Sequence, residues 1–318
     1  MNNAKNIRRA VVIGVLLALA VYPLGLSAKE KFEQKFEKIE DLARDGKIVL
    51  SNISGSIEIR IWAEAKVKIE ANKVSEAKSL DKAKENADKV QIVVDKTGGI
   101  LRIETKYPDQ RDRNESLSVS VFYKVWVPEK ASLKVKSVSG GLSVEGLGGA
   151  LESNTVSGNV TLSGITGDVD STVTSGTVNV SDVVGAVSLR TISGGITAER
   201  IKGSVEAETT SGAIHMRDIV GAKSVRAKVL SGNIDYEGDL AKDGKYILEA
   251  LSGRLEMTVP ANSGFDLEAE TFSGGIQSDF QVTVSGRLSA KALRGVVNNG
   301  GASVRLKSFS GSISLKKK

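Results

Sequence analysis

A Ser-Gly pair returns at a fixed interval through this chain. Ser139, Ser157, Ser175, Ser193 and Ser211 stand eighteen residues apart, each followed by glycine, and Ser231, Ser252, Ser273 and Ser310 continue the series at longer steps. Gly149, Gly167, Gly185, Gly203 and Gly221 follow the first five serines by ten residues. A period of this length means that one small unit is built repeatedly and buries its apolar face only by stacking on its copies.

The apolar residues keep the same step. Leu142, Val160, Val178, Ile196, Ile214, Ile234, Leu255, Ile276 and Ile313 each lie three residues after a serine. Leu151, Val169, Val187, Val205, Val225, Tyr246, Leu267 and Val304 each lie six residues before the next one. Polar residues alternate with them, and Thr161, Asn179, Thr197, His215 and Asp235 form one such column. Period-two alternation bounded by glycine describes short strands with one dry and one wet face. Each unit is therefore two strands and two corners. Additions collect at corners, as in "EGDLAKDG" (Glu237–Gly244), where a solenoid tolerates them. The second pairs, Ser163–Gly164 and Ser285–Gly286, do not recur on the period and are incidental.

These features predict an all-β fold, a parallel β-solenoid (β-helix) with coils of 18–21 residues. Parallel crossovers favour a right-handed coil, and the pattern fits a two-sided or a three-sided cross-section. Gly158 and its equivalents supply corners that need positive φ or close backbone approach, and the serine beside them is placed to satisfy an open backbone group. Ten such corners, counting Ser54–Gly55, imply a rod on the order of 45 Å at about 4.8 Å per ladder step.

The first turn, "DGKIVLSNISGSIEIRIWA" (Asp45–Ala63), is followed by a small α/β insertion. Val74, Ala77, Leu80, Ala83 and Ala87 have helical spacing, which predicts a helix over 75–89. A hairpin follows, "VQIVVD" and "ILRIETKY" joined through Lys96–Gly99. A strand then carries Val119, Val121, Tyr123 and Val125 on one face and Phe122 and Trp126 on the other. The helix is expected to cover Phe122 and Trp126, and the insertion to cap one end of the solenoid, where core and strand edges would otherwise be open. Phe32–Leu42 fits a helix or a strand. The resulting organisation is a signal peptide over 1–28, an N-terminal segment and first coil over 29–72, the capping insertion over 73–130 and the repeats over 131–318.

Composition bears on partners and compartment. Lys5, Arg8 and Arg9 precede the apolar run Ala10–Val21, and Ala28 offers a small residue at a cleavage site. That is the form of a signal peptide, and the run is short for a membrane anchor. The expected localisation is export to the periplasm, cell surface or exterior. Those three basic residues are half of the formal +6, so the chain beyond them carries +3 and has no basic patch suited to nucleic acid. The absence of cysteine excludes a disulfide framework and an N-terminal thioether lipid.

"ISGSIEI", "RIETKYP", "VWVPEKASLKVKSVSG", the tandem Ser-Gly units and the closing "FSGSISLKKK" together resemble the bacterial β-strand-repeat family of putative adhesins of unknown function. The resemblance spans nearly all of the chain after the signal and implies an exported single-stranded β-helix.

No catalytic set accompanies the pattern. His215 is the one histidine and there is no cysteine, so no usual zinc site can form. Asp168 and Asp170 share an outward face, but their column neighbours Ala150, Glu152, Ala186 and Ser188 make no acidic cluster. No cofactor, metal site or catalytic residue is expected. The remaining surface is stacked Ser, Thr and Asn, with Thr161, Asn179, Thr197 and His215 as a candidate binding face for a cell-surface glycan or envelope protein. The expected function is a non-enzymatic, adhesin-like binding or scaffold protein. The alternatives are a carbohydrate-active β-helix lyase or hydrolase using Asp168 and Asp170, and a regulatory partner in envelope-stress signalling.

Overall fold

The computed structural model describes residues 29–108, 117–284 and 291–318. The signal peptide read over 1–28 and the Ser285–Gly286 pair lie outside the described residues. No helix among the described residues is long and apolar enough to cross a membrane.

Among the described residues two sheets, of 13 and 14 strands, face each other across one apolar interior, so the cross-section is two-sided. From Ser132 to Val259 successive strands alternate between the sheets, and each pairs in parallel with its counterpart in the next unit. Val160, Val178, Ile196 and Ile214 are consecutive rungs on one side of the core, and Val169, Val187 and Val205 on the other. Stacking like on like holds this register, because a slip of one residue would turn every apolar side chain outward.

The corners explain the glycines. Gly158 has φ +143°, and a Cβ there would sit 2.2 Å from the carbonyl oxygen of Gly140. The same approach recurs at Gly176 against Gly158, so each corner is packed backbone on backbone. The serines do not serve as expected. Backbone groups at the corner pair between coils, Gly158 N–H donating to the Ser175 carbonyl at 3.0 Å. Buried threonines two residues before the serine add side-chain donors instead: Thr191 Oγ1 to Gly176 O at 3.3 Å and Thr209 Oγ1 to Gly194 O at 3.0 Å. A serine on the exposed side of the corner cannot reach those inward carbonyls.

At the N-terminal end the pairing changes hand. We label β1 (Glu30–Asp41), β2 (Lys47–Ser54), β3 (Ile57–Trp62), β4 (Lys66–Ala77), α1 (Leu80–Lys89), β5 (Gln91–Thr97), β6 (Ile100–Lys106) and β7 (Val119–Pro128). β2 and β3 form the first coil, directly beside Ser132–Ser139 and Leu142–Glu145. β6 and β7 add in parallel on its other side; β5, β4 and β1 then extend the sheets antiparallel.

The helix is shorter than its spacing predicts and rests elsewhere. Val74 and Ala77 belong to β4, not to the helix; Ser79 caps α1 by accepting from Lys82 N–H, and the chain before it alternates as a strand. Nor does α1 cover Phe122 and Trp126. It packs on β1 and β4, where Lys73 Nζ, on the inward face of β4, donates to the carbonyls of Ala87 and Val90 at 3.1 and 3.0 Å. Phe122 is left exposed, and Trp126 lies on the outer face under Lys68 and Lys124, 5.1 and 5.3 Å from its ring centre. Cations over an aromatic face cover it without a helix.

The C-terminal end departs from sequence order. Ala302–Ser310 lies between Lys245–Ser252 and Phe265–Ser273, pairing in parallel with both. Ile313–Lys317 likewise separates Leu255–Val259 from Ile276–Ser278. The last coil in the chain is therefore the penultimate coil in space.

Candidate functional site

The expected binding column exists as a ladder in the 13-stranded sheet. Thr161, Asn179, Thr197 and His215 are successive partners, followed by Asp235. His215 Nδ1 lies 3.0 Å from Asp235 Oδ2, and Arg254 approaches the other oxygen of that carboxylate at 3.5 Å. The four principal cavities of the described residues lie away from this column.

A recess lies on the other sheet. A shallow trough of about 720 Å³ crosses the outer face of six successive strands, from Ser132–Ser139 to Ser224–Ser231. Its floor is low because one position is alanine or serine in five of the six coils, Ser132, Ala150, Ala186, Ser204 and Ser224, with Asp168 in the other. Lys134, Glu152, Asp170, Ser188, Glu206 and Arg226 form the adjoining ladder. Lys134 Nζ sits 2.6 Å from Glu152 Oε1, and that hydrogen bond holds the Glu152 carboxyl below the usual carboxylate range. Asp168 Oδ1 accepts from the Ala186 N–H at 2.9 Å and so braces a corner. Midway along, Asp170 forms no ion pair among the described residues, and the buried Ser188 Oγ has no hydrogen-bond partner. A buried hydroxyl without a partner is costly unless something outside the chain satisfies it.

The eighteen-residue step places Asp168 and Asp170 beside Ala150, Glu152, Ala186 and Ser188, and the ladders have Asp170 between Glu152 and Ser188. Sequence reasoning missed that the same small residues hollow the sheet surface. The alanine–serine column was the available signal.

A second surface also escaped it. The residue just before each corner serine points out of the 14-stranded sheet, and many of these are apolar: Val138, Val156, Ile192, Leu230, Leu251, Phe309 and Phe272. Most are about half exposed and Phe272 is 69 % exposed. The Phe272 and Phe309 rings stack with centres 4.8 Å apart and planes within 5°. The repeated hydrophobe-Ser-Gly triplet was visible in the sequence.

The described residues hold no cluster of three or more His, Cys, Asp or Glu placed for a metal ion.

Comparison with known proteins follows the architecture. No curated protein matches the chain. Among solved structures it is similar to a putative adhesin from Bacteroides fragilis, at 14% identity over 89% of this chain and 97% of that one, with TM-score 0.37. A putative lipid binding protein from Parabacteroides distasonis shows 13% identity over 89% and 97%, with TM-score 0.39. A putative cell adhesion protein from Clostridium sporogenes shows 15% over 90% and 100%, with TM-score 0.24. The Toastrack DUF4097 family model matches residues 46–316, from the first coil to the last, and the chain belongs to that family.

Proposed function

We propose that this is an exported, non-enzymatic, adhesin-like protein that binds an extended polymer of the cell envelope, a surface glycan or a protein segment. In this reading it is a right-handed solenoid with coils of 18–21 residues, envelope-associated or secreted, and its rigidity serves to present a long contact face. The observation that carries the reading is the trough, with the unpartnered Ser188 Oγ and Asp170 carboxylate midway along it. An elongated recess with hydrogen-bonding walls and a flat floor suits a chain lying across the strands.

The test is retention of envelope glycans and proteins on the immobilised protein, with two variants. Ala186→Trp fills the trough, and Thr197→Trp blocks the ladder of Thr161, Asn179 and His215 on the opposite sheet. Binding lost in the first and kept in the second supports the trough. The reverse result moves the site to the other sheet, and no retention from any extract refutes the reading.

Asp168 and Asp170 both line the trough, which favours one second reading, a carbohydrate-active lyase or hydrolase. Release of unsaturated or reducing sugar from a retained glycan, abolished by Asp170→Asn, would establish it in place of simple binding.

A further inference from the structure

β1 is the edge of the 13-stranded sheet. Among the described residues it pairs with β4 alone, and at 12 residues it is the longest edge strand, against seven, three and two at the others. Long exposed edges are templates for a further strand. The hydrogen-bond phase shows which groups are free. Leu42 N–H donates to the Ala65 carbonyl, and the β1–β4 register continues evenly from there. In an antiparallel ladder alternate residues exchange bonds with one neighbour. Even-numbered residues of β1 are thus engaged with β4, and Lys31, Glu33, Lys35 and Glu37 direct their N–H and C=O to the open edge.

The sequence of that edge is self-complementary. "EKFEQKFEK" (Glu30–Lys38), read against itself in reverse about Gln34, sets Glu33 opposite Lys35, Phe32 opposite Phe36, Lys31 opposite Glu37 and Glu30 opposite Lys38. Every charge meets its opposite and every aromatic meets an aromatic. A shift of centre to Phe36 would instead set Phe32 against Glu40. At the centre, Gln34 Oε1 is buried and has no hydrogen-bond partner.

We propose that β1 pairs antiparallel with β1 of a second copy of this chain, joining two 13-stranded sheets across a two-fold axis at Gln34. Glu33 of one copy and Lys35 of the other exchange backbone bonds. Gln34 then faces its own copy at a non-hydrogen-bonded position, where Cα atoms approach to about 4.5 Å and side chains are closest. Each side-chain amide N–H can donate to the other copy's Oε1. α1 packs on β1 and β4, so the second copy would bring its helix alongside at about 10 Å, an ordinary interhelical spacing. Cross-strand charge pairs fix the register, while the backbone ladder over about 30 Å supplies the contact. This proposal does not depend on the trough or its ligand.

The absence of cysteine gives a clean test. The full chain carrying Gln34→Cys, produced in an exporting host and oxidised in place, should run as a disulfide dimer on a non-reducing gel, since the Cα separation falls in the disulfide range. Glu37→Cys, about 20 Å from its counterpart in this register, should remain monomeric. Adding Lys35→Pro to Gln34→Cys removes an edge-facing N–H that β4 does not use, and should cut crosslinking at least tenfold with protease resistance retained. Lys35→Glu should weaken it, and the added Glu33→Lys should restore it. A folded Gln34→Cys protein that stays monomeric, crosslinks no better than Glu37→Cys, or ignores both the proline and the charge swap would overturn the proposal.

Discussion

The middle of the rod is parallel throughout, while its two ends add antiparallel strands, and the two regions differ in what fixes strand order. Between Ser132 and Val259 each coil rests on the coil just before it in the chain. At the ends the chain doubles back: β6 and β7 lie outside the first coil, and Ala302–Lys317 slips between two coils made earlier. Local repetition suffices in the middle. Tertiary packing has to choose at the ends, because backbone hydrogen bonds accept any strand of the right length.

The sharpest contrast is between corner glycines and hairpin glycines. Gly158→Val places a branched side chain at φ +143° and 2.2 Å from a carbonyl, and should cost more than about 4 kcal/mol in denaturant unfolding. Gly99→Ala, at the β5–β6 hairpin tip with no atom within 4 Å of the added carbon, should change stability by less than about 0.5 kcal/mol. Equal melts for these two variants would mean that the corner assignment is wrong.

The intercalated coil comes next. Ile313 is fully buried between Leu255 and Ile276, and Ile313→Ala should cost about 3 kcal/mol. Among the described residues Ile276–Ser278 has no other neighbour in its sheet, so hydrogen exchange should accelerate there before it does in the middle of the rod.

An alkaline pH effect should be felt at the N-terminal end, as at the buried phenols of Tyr236 and Tyr246. Burial pushes the Tyr123 and Tyr107 phenols up to about 12, and Tyr123 is also hydrogen bonded to Thr105 Oγ1 at 2.7 Å. A group whose folded pKa is raised contributes stability that is complete below its unfolded value, near 10. That stability is lost as pH rises through the folded value. The fold should therefore weaken between pH 10 and 12, and Tyr123→Phe should flatten the profile. Phenolate absorbance rising fully near pH 10 in the native protein would contradict this.

The smallest effect is expected on the apolar column. Ile192→Ser removes a side chain that is already 56 % exposed, and stability should shift by less than about 0.5 kcal/mol. A loss of 2 kcal/mol or more would make the column part of the packing and not a free surface.

Much of this architecture is legible in the residues themselves. The columns Val160–Val178–Ile196–Ile214 and Thr161–Asn179–Thr197–His215 could be written from the eighteen-residue step, and both are true ladders. The helix was harder to delimit because Val74 and Ala77 fit helical spacing and strand alternation alike, and only pairing with β1 and β7 decides between them. The serines misled for a different reason. Repetition marked them as important, but the inward Thr191 and Thr209 reach the corner carbonyls.

The sequence by itself determined the unit: two strands, a glycine corner, and stacking of each residue on its equivalent. That follows because a side chain of fixed size at a fixed period packs best on a copy of itself. Only the tertiary structure decided which coil lies beside which at the ends, where α1 rests, and that a row of alanines and serines becomes a trough. These depend on groups far apart in the chain meeting across a ladder whose hydrogen bonds carry no sequence information.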